Sequence, residues 1–125
     1  MKIERIHLTL GLIWLLGGMT LGQIMGGSGD HGQMPTHAHI MLVGGVLSIL
    51  WAILYRAFAF KQGILAWLQV ATHQGGAALM IYCLFNMYGG GQPDMAVLGP
   101  MIGVAGLLVM ISVLLILIQS FLNRN

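Results

Sequence analysis

Residues 36–56 read THAHIMLVGGVLSILWAILYR. Between Thr36 and Tyr55 there is no Asp, Glu, Lys or Arg. A bilayer core of about 30 Å is crossed by roughly 20 helical residues at a rise of 1.5 Å each. The stretch therefore predicts a transmembrane helix over about residues 36–58, closed by Tyr55 and Arg56.

Three more apolar runs flank it, at about residues 6–25, 64–88 and 95–122. A glycine-rich loop (residues 26–35) separates the first two. The connector Ala59-Phe60-Lys61-Gln62-Gly63 leads into the third. The turn Gly89-Gly90-Gly91-Gln92-Pro93-Asp94 stops one helix and permits the next. Four spans consume most of the 125 residues, leaving no room for a soluble catalytic domain. The composition agrees: 58% of residues are hydrophobic and 6% charged, where a soluble domain carries about 25% charged residues. The expected fold is all-α, an integral membrane four-helix bundle in one domain (residues 1–125), oligomeric because four short helices leave much side surface bare. Lys2 and Arg5 precede an apolar run, but no small-residue cleavage site follows, so the first span reads as an uncleaved helix.

In a four-span arrangement Lys2, Arg5, Arg56, Lys61 and Arg124 all fall on one side, Asp30 and Asp94 on the other. Lys and Arg are retained on the cytoplasmic side. The expected topology has both termini inside, in a membrane such as the bacterial inner membrane. The five basic residues form no patch suited to nucleic acid. Trp51, Tyr55 and Trp67 are expected near the inner interface, where amphipathic rings settle. Gly18, Gly22 and Gly26, and Gly99 and Gly103, repeat at four-residue spacing, which lets helices approach closely, within one chain or between copies. Cys83, the single cysteine, reads as an apolar filler inside a span.

The five histidines are the feature that needs explaining, since ionisable residues inside membranes are costly and face partners or cavities. His37 and His39, two apart on a helix, point about 200° apart and suit two different neighbours. If the helix begins only after His39, an extended His-x-His motif chelates copper or zinc together with His31 and Met34 instead. His73 lies near mid-membrane, with Gln69 one turn before it. It reads as a second cofactor ligand across an oligomer axis, a proton relay, or a neutral residue bonded to a neighbouring helix. His7 is expected near water at the inner interface, and His31 in a solvated loop.

Residues 36–56 resemble the second helix of subunit I in the heme–copper oxidase superfamily, most nearly its nitric oxide reductase-like branch. In that family a histidine near the outer end of this helix binds the low-spin heme, and an aromatic–basic pair often closes the helix. His39 best fits the ligand position and Tyr55-Arg56 the closing pair. The His-x-His pattern also resembles that superfamily's tenth helix, where the two histidines serve different hemes. The family's twelve helices form three arcs of four, with helices two, six and ten equivalent. One arc has the size and topology expected here. No histidine pair matches the family's copper centre and no tyrosine its active site.

The resemblance implies a membrane b-type cytochrome, with heme b iron held by His39 and His37 and His73 as a further cofactor-binding residue. His39 lies roughly 6 Å below the outer edge and His73 roughly 22 Å, so one upright heme cannot use both from one chain. The second ligand then comes from another copy in a homodimer or homotrimer, and a redox protein or quinone is the expected partner for electron transfer; an open sixth position suits gas sensing. The alternatives are a non-heme copper or zinc protein using His31, Met34, His37 and His39, and an accessory subunit whose histidines only fix helix contacts. No acid–base pair at a shared depth suggests a hydrolase, no catalytic residue is assigned, and any enzyme activity would be that of an oxidoreductase.

Overall fold

A computed structural model describes residues 2–123. They form four long helices and, among the described residues, no strand: α1 (Ile3–Ser28), α2 (Met34–Ala57), α3 (Ile64–Met87) and α4 (Met95–Leu122). Each lies within a few residues of the run that predicted it. Asp94 begins α4 as an N-cap, its Oδ1 accepting from the Ala96 amide at 3.2 Å. Gly29 ends α1 at φ 76°, a left-handed conformation that glycine adopts without Cβ strain, and its N–H reaches the Met25 carbonyl.

Three helices, α1, α2 and α4, are long and apolar enough to cross a membrane. The 24-residue α3 is long enough, but Gln69, Thr72, His73 and Gln74 interrupt its apolar run.

The helices alternate in direction, as side-chain contacts at their ends establish. The connector after α2 holds the start of α1: Gln62 accepts from the Ile3 amide at 2.6 Å and donates to Glu4 at 3.1 Å. Gln62 thereby satisfies one of the amides that every helix start leaves unpaired. The Lys61 amide meets Asn123 beyond the end of α4 at 3.4 Å. Lys2, Arg5, Arg56 and Lys61 therefore share one end of the molecule, while Arg124 lies outside the described residues. At the other end Gln33 donates to the Phe85 carbonyl near the end of α3.

An apolar cluster of Ile3, Trp51, Tyr55, Phe60, Ala66 and Ile116 closes the cationic end, with Phe60 packed edge-on to Tyr55. Trp51 and Tyr55 are thus core residues, 5% and 1% exposed. Both lie toward the cationic end, but they pack inward with their polar atoms bonded inside the chain. Trp67 is exposed, as an interfacial ring would be.

Residues Ile40–Val46 of α2 form a π-helical segment. Such widened turns inside α-helices are frequent at functional sites. Here Gly44 and Gly45 both face α1. A Cβ on Gly44 would lie 2.7 Å from Cγ of Trp14, so the paired glycines open the slot in which Trp14 sits. Of the small-residue stripes, Gly18 and Gly22 serve contact between α1 and α2 within the chain, whereas Gly26, Gly99 and Gly103 have open space beside them.

Candidate functional site

The histidines fall into two chemically different sets. The first lies in the interior. His7 on α1 and His73 on α3 are fully buried, and their rings are 5.9 Å apart. Spacing explains why both point inward. His7, Gly11, Trp14 and Gly18 recur on α1 at steps of four and three; Ser48, Trp51 and Tyr55 do so on α2; Gln69 and His73 are four apart on α3. Residues at those steps share one helix face.

Hydrogen-bond direction in this cluster is fixed by its two indoles, which can only donate. Trp14 donates to Gln74 Oε1 at 3.0 Å, so the Gln74 amide nitrogen faces the other way. That nitrogen donates to His7 Nδ1 at 3.1 Å and to Ser48 Oγ at 2.9 Å. With Nδ1 accepting, His7 carries its proton on Nε2 and donates to Gln69 Oε1 at 2.7 Å. The same oxygen accepts from the Tyr55 hydroxyl at 3.1 Å, which accepts from Gln119 on α4 at 3.0 Å. Trp51 donates to His73 Nδ1 at 3.1 Å, leaving His73 Nε2 to donate to Ser48 at 3.3 Å.

Nine side chains from all four helices thus close into one network, in which both histidines are neutral and both nitrogens of each ring are engaged. One atom stands out: Gln69 Nε2 is the buried side-chain nitrogen left without a partner among the described residues. Donors converge on Gln69 Oε1 from both sides, so no continuous donor-to-acceptor path runs through the network. One expectation changes, that for His7, and one of the three readings of His73 is met. His7 does not reach water, because Gln69 and Gln74 draw it inward. His73 is bonded between α3 and α2, in the manner of a neutral histidine fixing two helices, with no nitrogen spare for a cofactor or a relay.

The second set lies at the head of α2. Pro35 sits at the start of the helix, which begins at Met34, so His37 and His39 are both helical. The condition for an extended chelating His-x-His motif is not met. His37 and His39 bond in different directions, as their spacing predicts. His37 Nδ1 donates to the Gly18 carbonyl of α1 at 2.8 Å, while His39 Nδ1 donates to Pro35 of its own helix at 2.7 Å. A carbonyl can only accept, so each ring donates from Nδ1, and its Nε2 makes no hydrogen bond among the described residues. This is the arrangement that second-shell bonds impose on metal-binding histidines. The His37 ring lies over Gly22, where a Cβ would come within 2.9 Å of Cε1. Below His39, α2 is exposed and apolar at Leu42, Val46, Leu50 and Ile53.

His31 also donates from Nδ1, to Gly29, but in the exposed loop, and Met34 is 46% exposed. Among the described residues no three His, Cys, Asp or Glu side chains are grouped to hold one metal ion.

No known protein family, curated protein or solved structure matches this chain.

Proposed function

We propose that the chain is a four-span membrane b-type cytochrome-like protein with both termini cytoplasmic, binding heme through His39, with His37, at an interface between copies, for electron transfer. One observation carries the reading: both head-group rings on α2 are held through Nδ1 and offer a free Nε2, whereas His7 and His73 have no nitrogen to offer. Heme ligation by imidazole needs such a nitrogen. The exposed apolar face beneath His39 suits a porphyrin or a neighbouring copy. Because His37 and His39 diverge, one chain does not set both on one iron, and a second copy in a homodimer or homotrimer supplies the opposite ligand. The heme, when bound, supplies one-electron chemistry; the residues bind and orient it.

The same network supports a fourth crossing by α3. Of the polar side chains that lower the hydropathy of α3, Gln69, His73 and Gln74 are bonded to α1 and α2 and Thr72 to carbonyls of α3 itself, and polar groups bonded inside the protein do not bar a helix from lipid. The shared end of Lys2, Arg5, Arg56 and Lys61 supports the cytoplasmic assignment.

The deciding measurement is the visible spectrum of protein purified from heme-sufficient cells, oxidised and reduced. The wild type is red, with the sharp bands of bis-histidine heme on reduction. His39→Ala loses the heme and His73→Ala keeps it. A colourless wild type that takes up no added heme would refute the reading.

A further inference from the structure

A groove of about 330 Å³ opens on the outside of the molecule between the first turns of α1 and the last turns of α2. Its lining is ordered along the helix axes. Leu8, Ile49, Ala52 and Ile53 form the part nearer the middle of the helices, and Arg5 and Arg56 form the rim at the cationic end. Both arginines are exposed, and Glu4 beside them takes its hydrogen bond from Gln62. No ion pair engages either guanidinium among the described residues.

We propose that this groove binds an anionic phospholipid of the leaflet facing the cationic end, with its phosphate at Arg5 and Arg56 and an acyl chain along Leu8, Ile49 and Ile53. The groove and the lipid share one polarity axis: charge at the membrane surface, hydrocarbon below it. Guanidinium groups pair with phosphate through two parallel N–H donors, and basic pockets between helices on the cytoplasmic side hold anionic headgroups. Glu4 offers an acceptor for a headgroup hydroxyl, which favours phosphatidylglycerol over a headgroup without one. The other apolar groove at this end, beside α4, carries a single cation, Lys61, and lacks the paired rim. The inference rests on the membrane orientation proposed above and not on heme.

The test is native mass spectrometry of full-length protein released from micelles containing equal amounts of phosphatidylglycerol and phosphatidylcholine. Wild-type protein retains phosphatidylglycerol preferentially. Each basic residue near an anionic surface contributes a factor of roughly five, so Arg5→Gln or Arg56→Gln lowers retention about fivefold and the double variant about thirtyfold. Lys61→Gln, outside the groove, leaves it unchanged, and inorganic phosphate at millimolar concentration does not displace the lipid. Equal retention of the two lipids, an unaltered double variant, or displacement by phosphate would each overturn the proposal. None of these variants touches His37 or His39, so the heme spectrum of the same samples reports separately on the cytochrome assignment.

Discussion

Replacing Gln74 by leucine removes the hub of the interior network while nearly keeping its volume. Three hydrogen bonds go: the one from Trp14 at 3.0 Å and those to His7 at 3.1 Å and Ser48 at 2.9 Å. The loss strands the Trp14 indole N–H and His7 Nδ1, while Ser48 keeps His73. Hydrogen bonds between membrane helices contribute about 0.6 kcal/mol on average and up to about 1.7. Three average bonds give about 2 kcal/mol. Stranded buried groups cost about 1–3 kcal/mol each where the surroundings cannot relax, which makes 2 kcal/mol the lower part of the range. The assay is unfolding of purified protein in mild detergent by SDS titration, followed by tryptophan fluorescence. Thr72→Val is the control, since the Thr72 hydroxyl bonds only carbonyls of its own helix. If Gln74→Leu is no more destabilising than Thr72→Val, the network does not hold the helices together and the tautomers assigned to His7 and His73 lose their basis.

Gly22→Ala brings a Cβ to 2.9 Å from the His37 ring and is expected to displace that imidazole and reduce heme content several-fold by absorbance, whereas Gly26→Ala, beside open space, leaves it unchanged. Cys83 is fully buried, so a maleimide labels it in SDS and not in the native protein in mild detergent. Asp94→Ala removes the cap on the Ala96 amide and lowers stability by about 1 kcal/mol in the same SDS titration.

The helices were legible in the sequence because apolar runs of membrane length separated by Gly, Pro and charge admit few readings. Their alternating direction was legible in the grouping of the cations. The interior network was not. His7 stands two residues from Arg5 and three from Glu4, and local context assigns it to water; only the other helices, through Gln69 and Gln74, draw it inside. A signal was nevertheless present: Ser48, Trp51 and Tyr55 place three polar atoms on one face of α2, and Gln69 and His73 do so on α3. Two polar faces in apolar helices call for each other, since neither is satisfied by lipid. Residue type places Trp51 and Tyr55 toward the inner interface, but the partners that bury them there, His73 and Gln69, lie on another helix. The π segment had no visible signal beyond Gly44-Gly45, because glycine pairs serve close helix packing equally well.

The interior network bears on the cytochrome assignment although it lies far from the head of α2. A chain with five histidines invites every one of them into a cofactor site, and the hydrogen bonds remove that freedom. His7 is committed to Gln69 and Gln74, and His73 to Trp51 and Ser48, so a flat macrocycle at their depth would have to displace Trp51, Gln69 and Gln74 from bonds that tie α1, α2 and α3 together. At the head of α2 the opposite holds: one bond from each ring to a backbone carbonyl fixes its orientation and leaves Nε2 open. Ligation there breaks no hydrogen bond made within the chain. An oriented ring with an unengaged nitrogen is what preorganised ligation requires, so the iron binding proposed at His37 and His39 would be separable from folding. His39→Ala is therefore expected to remove heme without changing the SDS midpoint of the heme-free protein, and Gln74→Leu to lower that midpoint without first removing heme.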